Sequence, residues 1–310
     1  MSSFRVLRRC AAPAALVAIL AGCGASSSSS TTTHRPSPPA AMMKSSNGVP
    51  LPADPKRIVS LSASSTEDLY AVGAGRQIVA VDHNSTYPPS APRTKLSGDQ
   101  PNVEAIAKYN PDLVVTFDNI NQVSPQLAAL HIPVLIEAPP ATLDGAYAQL
   151  IQLGRATGHV QQANRVAMSM RRQVAAILAS VPKPSGRLSV YHELDEAHYA
   201  ASSHTFIGQI YSRFGLSNIA DKAATASVYP QLSSESIISS DPSLIVLADT
   251  VCCGQSLKTV AKRAGWGGIA AVRHGAVLAV NDSIASEWGP RIVVLMRAIA
   301  GEVHMLETAK

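Results

Sequence analysis

Residues 161–180 read QQANRVAMSMRRQVAAILAS, and they decide how the rest of the chain is arranged. Apolar side chains recur every three or four residues, and arginine and glutamine fill the turns between them, which is the pattern of an amphipathic helix. The apolar positions are Val166, Met170, Val174, Ile177 and Leu178. A helix of this length measures roughly 30 Å, the width of a small domain. Pro182 and Pro184 end it, because proline cannot continue a helix.

A segment that precedes this helix is repeated after it. VEAIAKYNPDLVVTFD (103–118) aligns without gaps with SESIISSDPSLIVLAD (234–249), at a constant offset of 131 residues. Six positions are identical, among them Pro111 and Pro242. Each copy predicts a short helix, a break at the proline and a buried strand of a parallel sheet. The repeat indicates a duplicated lobe, although similar βα units can also converge on such a pattern.

The helix and the repeat together predict an α/β fold in which two Rossmann-like lobes are joined by one long rigid α-helix. The N-terminal lobe is expected at 55–159, the linking helix at 160–181 and the C-terminal lobe at 182–310. A length of 310 residues agrees better with two domains than with one.

The N-terminus has the pattern of a secretory leader. Residues 4–23 read FRVLRRCAAPAALVAILAGC, with a basic start, a short apolar stretch and small residues before Cys23. The last four match a bacterial lipobox, so we expect removal of residues 1–22 and a lipid on Cys23, which would hold the protein at the outer face of the cytoplasmic membrane. An uncleaved anchor is the alternative. Residues 23–54 are then a flexible tether, because their Ser, Thr, Pro and Ala cannot form a core.

The charge of the chain gives no support for nucleic-acid binding. The formal net charge is +5, but three arginines lie in the expected leader. Without residues 1–22 there are 23 basic and 21 acidic residues, and no block of basic residues is present. We therefore expect no nucleic-acid partner.

Six stretches carry a resemblance to a known family. In the first lobe they are RIVSLSASSTEDLYAVG (57–73), the YPP turn (87–89) and NVEAIAKYNPDLVV (102–115). In the second lobe they are TFIGQIYSRFGLSNIA (205–220), VYPQLSSESIISSDPSLIV (228–246) and NDSIASEWGPRIV (281–293). From about 55 to 306 the chain thus resembles the substrate-binding lipoproteins of ABC importers for ferric siderophores, haem and cobalamin. The resemblance implies the class III periplasmic-binding-protein fold, little hinge motion and an importer permease dimer as partner.

The resemblance also implies that a ligand binds between the lobes, at the carboxyl ends of the strands. The positions that match ligand-contacting loops are Ser64, Ser65, Tyr87, Phe117, Tyr199, Thr205, Phe206, Tyr229, Trp288 and Arg291. Flat aromatic side chains cover a macrocycle or a catecholate, and an arginine binds carboxylate or phenolate oxygen. A core role is the alternative for Phe117 and Phe206. For Arg291 the alternative is pairing with Glu287 at a helix start.

An iron complex, either a ferric siderophore or haem, is the expected ligand, and cobalamin is the alternative. The chain has Asp99, Gln100 and Phe117 in loops that can carry tryptophan in cobalamin binders, and Tyr229 at a position that can be tryptophan, which favours iron. With haem, a histidine or tyrosine of loop 193–204 is the candidate axial ligand. An envelope protein-interaction module that kept the fold is a third possibility. An enzyme is not expected, since the chain has no Gly-x-Ser-x-Gly elbow.

Glu104 and Glu235 occupy equivalent positions in the two repeats, each near the start of a short helix. In the resembling family, a glutamate at this place on each lobe meets arginines of the two permease subunits. The resemblance therefore implies that both residues dock the importer. The alternative is that each carboxylate interacts only with the N-terminus of its own helix.

The sequence contains no metal-binding motif. Cys252 and Cys253 are adjacent and lack metal-ligand spacing, so either free thiols or a disulfide between neighbours is expected. The histidines of the second lobe form no HExxH motif and are expected at the surface or at the rim of the cleft: His192, His198 and His204. We expect a monomer without a cofactor or a protein-bound metal.

Overall fold

The structure, a computed structural model, describes residues 43–182 and 184–308. The expected leader, Cys23 and most of the expected tether lie outside the described residues. Within the described ranges, no helix is both long enough and apolar enough to cross a bilayer.

The N-terminal lobe is a parallel sheet with helices between its strands. The strands are β1 (Ile58–Leu61), β2 (Ile78–Val81), β3 (Leu113–Thr116) and β4 (Val134–Ile136). The helices are α1 (Ala63–Val72), α2 (Val103–Ala107), α3 (Val123–Ala129) and α4 (Leu143–Ala156). The strand order is β2-β1-β3-β4. The central strands β1 and β3 are buried on both faces, which explains their nearly continuous apolar sequences IVSL and LVVT.

The helix α5 (Val160–Ala179) follows the N-terminal lobe without interruption. Its buried residues recur every three or four positions and are Ala163, Ala167, Met170, Val174 and Ile177. Val166 and Leu178, which the sequence pattern also placed on this face, are only partly buried. The buried face of α5 begins instead with two small side chains, Ala163 and Ala167. At Ala163 the helix α4 approaches closely, since a Cβ added to Gly154 would overlap the Cβ of Ala163. The long helix that the periodicity predicts is therefore present.

The C-terminal lobe is a second parallel sheet. Its strands are β5 (Ser189–Glu193), β6 (Ser217–Asn218), β7 (Leu244–Leu247) and β8 (Val277–Ala279), in the order β6-β5-β7-β8. Its helices are α6 (Phe206–Arg213), α7 (Ser234–Ser240), α8 (Leu257–Val260), α9 (Ala270–Arg273), α10 (Asp282–Ser286) and α11 (Ile292–Thr308). Short 3-10 turns occupy Ala74–Gln77, Ile120–Gln122, Ile219–Ala223 and Trp266–Gly268.

The two lobes repeat the same arrangement. In each sheet the first strand of the lobe pairs with its second and third strands, and the third pairs with the fourth. The offset of 131 residues also relates the observed elements: α2 and β3 begin at 103 and 113, and α7 and β7 begin at 234 and 244. The helix α5 packs against both lobes: it contacts α1 and α4 of the N-terminal lobe and α11 of the C-terminal lobe. The predicted fold class is confirmed.

The end of the expected tether is packed against the N-terminal lobe. The Asn47 side chain donates to the carbonyls of Ser124 and Ile132, at 3.2 and 2.9 Å. Its amide oxygen accepts the Val134 N–H at 3.2 Å, and Leu51 is buried. The prediction of a tether that extends to residue 54 is therefore wrong for residues 43–54. Polar composition concealed the segment, because its contacts are hydrogen bonds to distant backbone rather than periodic apolar contacts.

Candidate ligand-binding site

The segments that follow the strands carry the candidate residues. In the N-terminal lobe, Ser64 and Ser65 follow β1, Tyr87 follows β2 and Phe117 follows β3. In the C-terminal lobe the candidates follow β5, β6 and β8, and they are Tyr199, Thr205, Phe206, Tyr229, Trp288 and Arg291. Because the strands of each sheet are parallel, their carboxyl ends lie at one edge. The fold therefore brings the candidates of each lobe to a single edge of its sheet.

The two edges meet at a cluster that we call the lobe junction, formed by Ser64, Glu67, Trp288 and Arg291. Both oxygens of Glu67, on α1, accept hydrogen bonds from Arg291: Oε1 from the backbone N–H and Oε2 from Nε, each at 2.6 Å. The Ser64 hydroxyl accepts the Trp288 N–H at 3.2 Å. Gly289 permits this approach, since a Cβ there would lie 2.8 Å from the Glu67 carboxyl carbon. Charged contacts thus connect the lobes in addition to α5.

The guanidinium group of Arg291 has further partners within the protein. Its Nη2 donates to Glu287 at 3.1 Å and to the Ser283 hydroxyl at 3.2 Å, and its carbon lies 4.0 Å from the centre of the Tyr87 ring. The side chains of Arg291 and Glu67 are 17% and 3% exposed. The pairing with Glu287, which the sequence left open, is present, and Glu67 is a partner that sequence reasoning missed. The structure therefore holds Arg291 inside the lobe junction.

Five aromatic side chains at the two edges form what we call the aromatic rim. They are Tyr87, Phe117, Tyr199, Tyr229 and Trp288. The three tyrosines are 41%, 42% and 47% exposed, and the other two side chains are partly buried. Tyr199 and Tyr229 lie on adjoining segments, because Tyr199 pairs with Gln231 and the Ala200 N–H donates to the Pro230 carbonyl. Exposed aromatic surface at strand ends is typical of a site for a flat ligand.

Four of the residues expected to contact ligand are buried, and three of them, Ser64, Thr205 and Phe206, have structural roles. Ser64 and Ser65 are 2% and 1% exposed, and Thr205 and Phe206 are 5% and 6% exposed. Thr205 caps α6, where its hydroxyl accepts the Gly208 N–H at 2.9 Å. A helix start needs such an acceptor for its unpaired N–H groups. Phe206 lies in the hydrophobic core, which was the alternative for this residue. Ligand contact by these four positions stays a prediction, and their burial shows that they also belong to the scaffold.

Carboxyl groups are concentrated around the lobe junction. Burial raises the pKa of Glu137, just after β4, to about 8. Burial, together with the nearby Glu67 carboxylate, also raises the pKa of Glu287 to about 8. Burial and then the neighbouring acids hold the pKa of Asp68 well above its usual range. The region between the lobes thus contains more carboxyl groups than Arg291 can neutralise, and some of them keep their proton at neutral pH.

Glu137 should make the stability of the protein depend on pH. Its pKa rises from 4.5 to about 8, and within the described residues its Oε1 has no hydrogen-bond partner. Because the folded state binds this proton more tightly than the unfolded state, the stabilising contribution is complete below pH 4.5 and is lost as the pH rises through about 8. Between those values the free energy of unfolding falls by about 1.4 kcal/mol per pH unit for this one group.

Glu137→Gln should remove this contribution, because the carboxamide does not titrate. Urea unfolding at several pH values between about 5 and 8 measures the slope for wild type and variant. Glu104→Gln, which changes an exposed carboxylate, is the matched control and should keep the wild-type slope. The same slope in Glu137→Gln and wild type would show that Glu137 does not carry the proton.

The cysteines and one histidine of the C-terminal lobe have defined environments. Cys252 and Cys253 are joined as a disulfide, which is one of the two alternatives that the sequence left open. His192 is fully buried, with Nδ1 at 2.5 Å from the Tyr211 hydroxyl, and burial lowers its pKa to about 4. The expectation that it lies at the surface or at the rim of the cleft is wrong, since β5 is buried on both faces around this position. Across the described ranges, no group of three or more His, Cys, Asp or Glu side chains is arranged to hold a metal.

A second buried ion pair lies in the C-terminal lobe and was not anticipated. Two nitrogens of Arg263 bind the two oxygens of Glu193, each at 2.6 Å, and the guanidinium carbon lies 4.5 Å from the Trp266 ring centre. Asp249 follows β7, and burial together with the Glu193 charge raises its pKa to about 7. Arg263, like Arg291, is thus already paired with a carboxylate near the carboxyl ends of the strands.

Glu104 and Glu235 are exposed in the first turns of α2 and α7. Other residues cap these helices: the Asn102 and Ser233 side chains each accept a backbone N–H three residues on, at 2.8 and 3.1 Å. Neither glutamate side chain has a hydrogen bond or ion pair among the described residues. Both carboxylates are therefore available to a partner.

The chain is similar to several known proteins. The family model described as Periplasmic binding protein matches residues 58–283. A cobalamin-binding protein of Halobacterium salinarum is 35% identical, over 84% of this chain and 72% of that protein. An ABC transporter substrate-binding lipoprotein of Bacillus subtilis, YvrC, is 29% identical, over 84% of this chain and 83% of that protein. The periplasmic heme-binding protein RhuT of Roseiflexus sp. RS-1 has a TM-score of 0.72 at 23% identity, over 81% and 99% of the two chains.

The family match covers most of both lobes, and the 35% identity extends over more than two thirds of each chain. The likeness to RhuT independently shows the fold. These relatives are binding proteins rather than enzymes. The resemblance inferred from the sequence is confirmed: the chain belongs to the periplasmic binding protein family, as an extracytoplasmic solute-binding protein of the kind that serves ABC importers.

Proposed function

We propose that this protein binds a corrinoid of the cobalamin type between its lobes and delivers it to an ABC importer. The observation that carries the choice of ligand is the pairing of Arg291 with Glu67 and Glu287, beside an exposed aromatic rim. A corrinoid has a broad apolar macrocycle with amide groups at its edge. Aromatic side chains suit the macrocycle, and neutral amides need no cationic partner.

Charge argues against an anionic iron complex as the preferred ligand. Ferric catecholates and the haem propionates carry negative charge, which a binding site meets with arginine or lysine. Arg291 and Arg263 already bind carboxylates, so neither is free to pair with an anionic ligand. Two of the departures from cobalamin binders that favoured iron, Phe117 and Tyr229, keep an aromatic side chain that can stack on a corrin ring, whereas Asp99 and Gln100 do not. The identity with the cobalamin-binding protein of Halobacterium salinarum supports the same choice.

Haem is the second candidate, and the exposed tyrosines favour it. Tyr199 and Tyr229 lie at the ligand-side edge with 42% and 47% of their surface exposed. A tyrosine phenolate is an established ligand of haem iron. Haem binding through one of these side chains would give an absorption spectrum that depends on that tyrosine, whereas corrinoid binding would not.

Titration of the purified protein with cyanocobalamin, haemin and a ferric catecholate tests the proposal. Trp288 is in the aromatic rim and the second tryptophan, Trp266, is buried, so ligand should quench mainly the fluorescence of Trp288. Saturable quenching by cyanocobalamin that disappears in Trp288→Phe is the expected result. Saturation by haemin or the catecholate alone would replace the proposed ligand. Binding of none of the three would favour an envelope protein-interaction module.

Tyr229→Ala should weaken cyanocobalamin binding about tenfold, because stacking and buried aromatic area are lost. Met168→Ala is the control, since Met168 is 57% exposed on α5, away from the strand ends. Calorimetric titration gives both dissociation constants. Equal affinity in Tyr229→Ala and wild type, with the fold intact, would place the ligand away from the aromatic rim.

The lipid anchor is a further part of the proposal. The lipobox before Cys23 supports it, as does the similarity to a substrate-binding lipoprotein of Bacillus subtilis. Cys23→Ala should prevent acylation and shift the protein from the membrane fraction to the soluble fraction, as immunoblots of fractionated cells would show. Cys10→Ala is the control, because it changes a cysteine inside the expected leader, and it should leave the protein with the membranes. Membrane retention of Cys23→Ala equal to that of wild type would contradict the anchor.

The importer partner follows from the family, and we propose Glu104 and Glu235 as the residues that dock its two permease subunits. Each lobe contributes one exposed carboxylate at the same position of the repeat. A permease dimer with two-fold symmetry presents equivalent surfaces to the two lobes of one monomer. We therefore propose that the protein binds its importer as a monomer.

A further inference from the structure

The segment after β7 differs from its counterpart in the N-terminal lobe. Phe117 follows β3 and belongs to the aromatic rim, and the repeat places Ala248 at the equivalent position after β7. Ala248 is only 4% exposed, so it offers no surface to a ligand. The chain then continues into an exposed turn at 251–254, which contains the Cys252–Cys253 disulfide. After β7 the C-terminal lobe therefore exposes this turn, whereas the N-terminal lobe has the aromatic side chain of Phe117 after β3.

The turn carries unusual apolar exposure. Val251 is 69% exposed, the highest value among the large hydrophobic side chains of the described residues. The next highest values belong to Met168 and Met305, on α5 and α11. Val251 and the neighbouring disulfide thus form an apolar patch at the same edge as the aromatic rim, where an apolar ligand face would cover it.

Hydrogen bonds hold the turn in one shape. The carboxylate of Asp282 accepts the N–H groups of Val251 and Cys252, both at 2.8 Å, and the Thr250 hydroxyl at 3.1 Å. The Asp249 carbonyl accepts the Cys253 N–H at 3.3 Å. Together with the disulfide, these contacts reduce the freedom that a ligand would otherwise have to remove on binding.

The same contacts connect the turn to the lobe junction. Asp282 is the first residue of α10, and the next residue, Ser283, accepts a hydrogen bond from Arg291 at 3.2 Å. Arg291 in turn binds Glu67 of the other lobe. One short helix therefore supports both the turn and the junction, which places the turn beside the region between the lobes.

We propose that the Cys252–Cys253 turn is a ligand-contacting element of the C-terminal lobe, in which Val251 and the disulfide cover the apolar face of a macrocycle. The inference rests on the proposed function and adds a contact and a chemical requirement to it. The disulfide keeps the turn rigid, and an oxidising compartment outside the cytoplasm maintains that bond. Loss of the disulfide or of the Val251 side chain weakens binding without changing the fold.

Peptide mapping tests the bond directly. The tryptic peptide 223–258 contains both cysteines. Iodoacetamide added to the unfolded protein without a reductant should leave this peptide unmodified, and dithiothreitol followed by iodoacetamide should add two carbamidomethyl groups. Alkylation of both cysteines without reduction would overturn the proposal.

Titration with cyanocobalamin and haemin tests the contact. Val251→Ala should weaken binding about fivefold, and Cys252→Ser with Cys253→Ser about tenfold, at unchanged thermal midpoints. Val294→Ala makes the same substitution at a 45% exposed position of α11 and should leave affinity unchanged. Wild-type affinity in both turn variants would overturn the inference and leave the proposed function intact. Failure of the wild-type protein to bind either probe would overturn both.

Discussion

Glu104→Arg combined with Glu235→Arg should reduce importer-dependent uptake to the background level while leaving ligand affinity nearly unchanged. The two carboxylates are exposed on equivalent helices of the two lobes and lack partners among the described residues. Like charges on both sides of a protein–protein contact suppress encounter and orientation more than they alter the fold. Uptake of labelled cyanocobalamin by cells, and binding to the permease in nanodiscs, measure the effect.

Graded and matched variants separate docking from helix capping. Glu104→Gln with Glu235→Gln should give a smaller loss of uptake, and high salt should weaken wild-type docking, because exposed charges are screened. Asn102→Ala with Ser233→Ala removes the caps of the same helices and should cost about 1 kcal/mol of stability per helix while uptake continues. If instead the charge-reversed protein unfolds more easily and transports normally, the glutamates serve their own helices rather than the importer.

Arg291→Ala should destabilise the protein by about 3 kcal/mol, because it leaves the buried Glu67 carboxylate without its cationic partner. Glu67 is 3% exposed and binds Arg291 through both oxygens, and Glu287 is 13% exposed. The backbone contact at position 291 survives the substitution, but the guanidinium contacts to the two acids do not. Urea unfolding at neutral pH measures the loss.

Further variants separate a structural role of Arg291 from a role in ligand binding. Glu67→Gln in the Arg291→Ala background should recover much of the stability, because no unpaired charge then remains at that position. Arg297→Ala changes an exposed arginine of α11, the helix that follows Arg291, and should stay within about 0.5 kcal/mol of wild type. A small effect of Arg291→Ala together with a large loss of ligand affinity would return Arg291 to the ligand site.

The sequence by itself determined the architecture. The periodicity of 161–180 and the prolines after it predict α5, since a helix with one buried face repeats its apolar residues every three to four positions. The aligned copies at 103–118 and 234–249 predict the matching units of the two lobes, which the shared strand order bears out. The sequence also predicted which edge of each sheet carries the candidate site, because parallel strands place their carboxyl ends together. These are properties of local pattern and chain direction.

Only the tertiary structure decided what individual polar residues do. Glu67 and Arg291 are 224 positions apart, and nothing in either local sequence marks them as partners. The sequence placed Thr205 and Arg291 among the expected ligand contacts, and only the structure shows that one caps a helix and the other joins the lobes. Asn47 looked like part of a tether, yet it binds backbone 87 residues away. A hydrogen bond or an ion pair depends on which groups meet and how deeply they are buried, and both are set by the packing of the whole chain.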